Sequence, residues 1–209
     1  MARPANRHDH PVLRRADLSP DPVEQFGRWF EAAREEVPLA EAMTLATAAP
    51  DGAPDARMVL LKGYDAEGFR FFTNLESVKA AHLESNPMAA LVFYWRDLDR
   101  QVRVRGTVKP LDPVESGQYF ATRPMESRLG AWASPQSRPL EGRDELERRF
   151  EEVRQRFEET EDVPRPEHWG GYLLRHERVE FWQGQEARLH DRFLYTRENG
   201  NWRIERLAP

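Results

Sequence analysis

The residues best suited to chemistry crowd into one stretch, residues 180–193, EFWQGQEARLHDRF. Phe181, Trp182, Arg188, His190, Asp191 and Arg192 all fall within it, with Gly184 as a break. Arg188, His190 and Arg192 recur at every second position. In an extended strand that spacing puts the three side chains on one face. Two permanent cations beside a titratable imidazole suit an anionic, phosphate-bearing ligand. The competing reading is an edge strand studded with solvated charge, and this stretch alone does not separate the two.

Four other groupings carry polar chemistry. In RMVLLK, residues 57–62, Arg57, Val59 and Leu61 point one way in a strand, and Met58, Leu60 and Lys62 the other. Arg57 offers a fork for a phosphate, Lys62 reaches a second anion, and the apolar residues wall a planar slot. Otherwise both cations simply sit in water at strand ends. Residues 73–79, TNLESVK, pass from a polar strand end, Thr73, into a helix start with Lys79 in its first turn. Free N–H groups there favour a phosphate, or the helix is merely capped and Lys79 exposed. Gln101 both donates and accepts, as the polar edge of a planar ligand requires, or is satisfied by solvent in a hairpin. Tyr119, Arg123 and Ser127 stand four apart, with Pro124 breaking the helix between them. They make either a phosphate cradle at a helix–helix corner or an ordinary surface. The nearby loop Ser134-Pro135-Gln136-Ser137 adds further donors.

The surrounding pattern says what must hold these groups. Asp21-Pro22 starts an amphipathic helix to about Glu36, with Phe26, Trp29, Phe30 and Ala33 on one stripe. Strands are expected over 42–48, 56–64 and 69–73, then a helix over 76–85 with Asn74 as its cap. A doubly buried strand, 88–95, pairs with 101–108. Helices follow over 112–122, 126–133 and 144–159. Three strands, 171–181, 188–196 and 202–207, close the chain, the last two joined by an Asn-Gly turn at Asn199-Gly200. Hairpins throughout, with helices between, predict a mainly β protein, an antiparallel barrel or sheet with helices packed outside.

The bulk numbers narrow the class. The chain of 209 residues has 39% hydrophobic and 32% charged residues, which suits a single globular domain over 19–209 behind a mobile tail over 1–18. A net charge of −5 argues against general nucleic-acid binding. No cysteine, no signal-like start and no long apolar run point to a cytoplasmic protein with no membrane partner. His8 and His10 are a weak metal pair, and no metal is expected.

Taken in order, the motifs carry a resemblance. RMVLLKxYDxxGFxFxTN, SxKAxxLxxNPxAxLxFxW, RQVRxxGxV, YFxxRPxxSxxGAWxSxQS, HWGGY and EFWQG…RLHDRF…RLAP run across residues 13–209. The series resembles the pyridoxine/pyridoxamine 5′-phosphate oxidases, FMN-dependent enzymes of vitamin B6 metabolism. The resemblance implies an antiparallel split β-barrel, a homodimer, and FMN held at the subunit interface. It implies an FMN site of Arg57, Met58, Val59, Leu60, Leu61, Lys62, Phe72, Thr73, Lys79, Gln101, Gln136, Ser137, Trp182 and Arg192. Lys62, Tyr119, Arg123, Ser127, Arg188 and His190 match substrate-binding positions, with Arg188 and His190 at the reacting carbon. The implied reaction passes a hydride from C4′ of pyridoxine or pyridoxamine 5′-phosphate to flavin. Pyridoxal 5′-phosphate forms, dioxygen becomes hydrogen peroxide, and the amine releases ammonia.

Three departures stand out. Ser77-Val78-Lys79 lacks the middle cation of the family's Ser-Arg-Lys. Trp182-Gln183-Gly184-Gln185 has Gln where the family has a second Gly, which strains a turn if that position needs a positive φ. Residues 1–12 carry no match to the family's N-terminal lid segment. Two other readings share these residues: a flavin enzyme acting on a different heterocycle, and a non-catalytic binder of flavin or pyridoxal 5′-phosphate.

Overall fold

The computed structural model describes residues 11–160 and 162–209. Five α-helices and nine strands are described, and every strand pairing is antiparallel. The first helix, α1 (Pro22–Glu36), starts where the Asp21 side chain accepts a hydrogen bond from the Val23 amide and Pro22 fills the first turn. Its stripe Phe26, Trp29, Phe30 and Ala33 is buried.

Strands β1 (Ala42–Ala48), β2 (Pro54–Leu60), β3 (Gly63–Asp65) and β4 (Gly68–Asn74) come next. Helix α2 (Val78–Ser85) leads to the hairpin of β5 (Met88–Trp95) and β6 (Arg100–Pro110). Helices α3 (Pro113–Ala121), α4 (Met125–Ala133) and α5 (Arg143–Arg156) precede β7 (Trp169–Gln183), β8 (Asp191–Glu198) and β9 (Asn201–Leu207). The sheet runs β2-β1-β5-β6-β7-β4-β3, and β7 also pairs with β8, which pairs with β9. The long β7 does this by splitting its far edge. Its first half pairs with β4 and its second half with β8, while β6 follows it from Tyr172 to Gln183 through a bulge at Arg105/Gly106. A Cβ on Gly106 would lie 1.8 Å from the Arg175 carbonyl oxygen, so the bulge accepts no side chain there. The sheet curls into the expected split barrel.

The core fills the curl under α1. The Phe26 ring meets Tyr64 and Phe69 edge-on at 4.9 Å, and also touches Phe30, Phe93 and Trp95. Burying one such side chain stabilises the fold by about 1.5–3 kcal/mol. Helix α5 has no fully buried residue, and its ion pairs, such as Arg143–Glu147 at 2.8 Å, face solvent.

The structure corrects several expectations. The strand predicted over 56–64 is two strands. Between them the Leu61 amide donates to Glu41 and the Lys62 amide to Arg70, so the chain leaves β1 for β4. The helix expected from Glu76 starts at Val78 with Ser77 at its cap, and Asn74 instead closes a turn by accepting from the Glu76 amide at 2.7 Å. Arg188 is not in a strand: residues Glu186–Arg188 form a 3-10 turn, and β8 begins only at Asp191. The single-face alternation of Arg188, His190 and Arg192 is therefore overturned. Ala187 at φ 53 and Arg188 at φ 62 turn the backbone there.

Gln185, expected to be strained, is extended at φ −141. The glycine required in this turn is Gly184, where a Cβ would lie 1.9 Å from Asp99 Oδ2. Of the expected mobile tail, residues 1–10, including His8 and His10, lie outside the described residues. Residues 11–18 are tied down: the Leu13 amide donates to Asp191 at 2.9 Å, Arg206 donates to the Leu13 carbonyl at 2.6 Å, and Leu18 is buried. Among the described residues, no helix is long and apolar enough to cross a membrane.

Candidate functional site

The open end of the barrel holds a cavity of 510 Å³. One wall is the exposed end of β2, with Met58, Val59 and Leu60, followed by Lys62. The floor is the end of β4, Phe72, Thr73 and Asn74, with Lys79 from α2. The opposite wall brings Tyr119 from α3, Arg123 from the corner before α4, and Ser127 from α4. Pro124 breaks the helix as expected, and the corner it makes turns all three side chains towards one space. Ser134, Gln136 and Trp169 complete the lining. Among the described residues no carboxylate lines this cavity, so none neutralises its cations.

Arg123 is the most telling of them. Its guanidinium lies 4.8 Å over the Trp169 ring and 5.4 Å from the Phe120 ring. Its Nη1 is buried and has no hydrogen-bond partner among the described residues. Burial pushes its pKa below the usual arginine value, partly offset by Tyr119. A buried guanidinium nitrogen without an acceptor is costly unless a ligand supplies one. Trp169 is held in turn by a stack with Phe72 at 5.2 Å and 6°, and Phe72 stacks on Tyr119 at 4.1 Å. Gly171 leaves room for that stack, since a Cβ there would lie 2.6 Å from the Phe72 ring.

Lys79 links this cavity to a second one of 300 Å³, lined by Asp55, Ala56, Arg57, Val78, Lys79 and Ser137. The Lys79 Nζ donates to Gln136 Oε1 at 2.6 Å and to Thr73 and Ser77 at 3.1 Å. Burial, then the nearby Arg57 charge, lowers its pKa to about 8. An anion beside it would favour the protonated form and offset both causes. Val78 and Lys79 open α2, where backbone amides lack helical partners and favour negative charge. The Val78 amide donates to Ser137 Oγ at 3.4 Å. Arg57 is bound to Asp55, to Thr47 Oγ1 at 2.7 Å and to the Leu45 carbonyl at 3.2 Å. Two cations, Arg57 and Lys79, thus line this cavity against one carboxylate, Asp55.

The remaining candidates form a separate cluster. Gln101 on β6 lies opposite Trp182 on β7, which lies opposite Arg192 on β8. The His190 ring is 4.6 Å from the Trp182 ring, and its Nδ1 accepts the Gln185 amide at 3.1 Å. That bond leaves the proton of the neutral ring on Nε2. Arg192 donates to Glu180 at 2.9 Å and to the Ala208 carbonyl at 2.8 Å. Arg188 is exposed on its turn. None of these five residues lines the 510 Å³ cavity. Leu61, expected beside the cofactor, is buried in the core. The sequence reading did not single out Trp169 or Thr47, and gave Asn74 only a capping role. Trp169 had a signal in HWGGY, where adjacent glycines imply a ring packed tightly on backbone.

The class is an antiparallel split barrel with a multiply cationic pocket, and comparison with known proteins gives the family. A model described as pyridoxamine 5′-phosphate oxidase matches residues 30–157, and one described as the pyridoxine 5′-phosphate oxidase C-terminal dimerisation region matches 169–209. The chain belongs to the pyridoxine/pyridoxamine 5′-phosphate oxidase family. It is 59% identical to the Rubrobacter xylanophilus pyridoxine/pyridoxamine 5′-phosphate oxidase, over 91% of this chain and 88% of that protein. The Cupriavidus metallidurans enzyme of the same name is 53% identical over 95% and 93%. Among solved structures, PhzG from Burkholderia lata, in complex with tetrahydrophenazine-1-carboxylic acid, superposes with a TM-score of 0.90 at 28% identity, covering 98% of this chain and 100% of PhzG. An FMN-binding protein from Nostoc punctiforme, related to pyridoxamine 5′-phosphate oxidase, shares the fold at a TM-score of 0.72 and 20% identity, covering 92% and 100%.

Proposed function

We propose that this chain is an FMN-dependent oxidase that converts pyridoxine 5′-phosphate and pyridoxamine 5′-phosphate to pyridoxal 5′-phosphate. It works as a homodimer with FMN at the subunit interface. The observation that carries this is the buried, unpaired Arg123 Nη1 in a cavity that also holds Lys62, Tyr119 and Ser127 and no carboxylate. These four clamp the substrate phosphate.

The residues fit FMN. Arg57, Lys79, Ser137 and the first amides of α2 take its phosphate, with Gln136 and Thr73 holding Lys79 in place. Met58, Val59, Leu60 and Phe72 offer apolar surface to its ring, and buried Leu61 anchors the strand beneath. Gln101, Trp182 and Arg192 sit on the other cluster and complete the site from the second subunit, as do Arg188 and His190. The match of residues 169–209 to a dimerisation region supports this arrangement. When bound, FMN supplies the hydride acceptor and hands the electrons to dioxygen, giving hydrogen peroxide.

This chain's residues then position the substrate. The phosphate clamp fixes the distance from C4′ to the ring slot. Arg188 and His190 would cover the pyridine ring; with its Nδ1 accepting the Gln185 amide, His190 carries its proton on Nε2 and donates a hydrogen bond to the substrate, while the proton of the alcohol passes to water. The alcohol gives the aldehyde directly. The amine gives it after one water adds and ammonia leaves. Phosphorylated substrates do not cross membranes freely, which suits a cytoplasmic enzyme.

Purified protein supplied with FMN is expected to be yellow and to form one peroxide per pyridoxamine 5′-phosphate consumed, with far slower turnover of unphosphorylated pyridoxamine. Flavin binding without peroxide would instead mark a non-catalytic binder. Equal turnover of the unphosphorylated amine would remove the phosphate clamp.

A further inference from the structure

We propose that Thr47, backed by His82, is the positioning residue that fixes Arg57 as the anchor for the FMN phosphate; this rests on the FMN reading above. The β1–β2 register sets Leu45 opposite Arg57 and Thr47 opposite Asp55, so these four side chains share one face of the ladder. Arg57 reaches back across it, and one terminal nitrogen donates both to the Leu45 carbonyl and to Thr47 Oγ1, at 3.2 and 2.7 Å. A guanidinium only donates, so the Thr47 oxygen accepts. Its own proton is then free for an acceptor, and His82 Nδ1 lies 3.1 Å away. Thr47 is only 4% exposed, so solvent does not compete for these bonds.

His82 sits on α2, whose first residues form the other side of the same seat. One helix therefore supplies the anion-binding amides at its start and, a turn later, the group that holds the Thr47 hydroxyl. An arginine side chain loses rotamer entropy when it is fixed. Holding Arg57 in advance removes that cost from ligand binding. Lys79 does not need this help, since Gln136, Thr73 and Ser77 already hold it.

The test is titration of FMN-free protein with FMN, read by flavin fluorescence, beside thermal melts of the same FMN-free samples. Thr47→Val should weaken FMN about tenfold, the loss of one hydrogen bond to a charged group. Thr47→Ser should stay within about twofold, and the FMN-free melting temperature should barely move for either. His82→Leu, which cuts only the outer bond, should weaken FMN about threefold and decides the matter if Thr47→Val does not fold. Thr47→Val binding like the parent, or Thr47→Ser as weak as Thr47→Val, overturns the proposal. Arg57→Ala separates the two levels. If it weakens FMN while Thr47→Val does not, only the positioning role falls. If it too binds like the parent, the phosphate seat falls and the positioning role with it.

Discussion

Arg123→Ala is expected to lower kcat/KM for pyridoxamine 5′-phosphate by about thirty-fold to several thousand-fold, the equivalent of about 2–5 kcal/mol for a desolvated charge pair. The reason is local. The guanidinium is wedged between the Trp169 and Phe120 rings, burial already disfavours its charge, and its Nη1 faces no acceptor. A substrate phosphate supplies the missing acceptor and the missing charge together. The free protein gains only the ring contacts of this group, set against an unmade buried hydrogen bond, so its melting temperature should change little, which a thermal melt checks. Turnover of unphosphorylated pyridoxamine should change little, because that substrate never meets the clamp. A loss of the same size with both substrates would mean that Arg123 acts on the ring or on the fold.

The second large effect concerns Lys79 and FMN. In the FMN-free protein, burial and the neighbouring Arg57 hold its pKa at about 8. A bound phosphate favours the protonated form, so the complex holds that proton to higher pH than the free protein does. Below about pH 8 Lys79 is charged in both states and affinity is full. As pH rises above about 8 the free protein loses the proton first, binding must take one up, and affinity falls by up to about tenfold per pH unit. Lys79→Met should weaken FMN at pH 7 by about 2–3 kcal/mol and flatten this profile between about pH 7 and 9.5. A profile as steep in the variant as in the parent would assign the titration to another group.

How much of this the sequence revealed depends on whether chemistry was local or assembled. Periodicity placed α1, because one buried face writes itself directly into residue order; β5 lies where expected but is not buried on both faces, since Ala89, Leu91, Phe93 and Trp95 are buried while Tyr94 is exposed. The corner of Tyr119, Arg123 and Ser127 was legible because Pro124 must break a helix there. The strand imagined through Arg188 was wrong for a reason the period-2 pattern cannot carry. Gly184 packs against Asp99, and Asp191 is pinned by Arg206 and by the Leu13 amide, so the chain must turn between them. The single strand over 56–64 failed similarly, since its break is set by carbonyls of Glu41 and Arg70 far away in sequence. Thr47 and Trp169 were missed because each acts through a partner, Arg57 in one case and Arg123 in the other. Val78, where a cation was expected, is exposed at the first residue of α2 and leaves Arg57 and Lys79 as the cations of that seat.

That the 510 Å³ cavity and the cluster of Gln101, Trp182, His190 and Arg192 belong to one site only across two subunits is tested by mixed dimers. Arg123→Ala and Arg188→Ala proteins, each nearly inactive alone, are unfolded together, refolded as an equal mixture with FMN, and assayed with pyridoxamine 5′-phosphate. A shared site predicts recovery of about a quarter of parental activity, because half the dimers are mixed and each of those has one intact site. Activity no higher than that of the separate variants would place each complete site within a single chain and contradict the account.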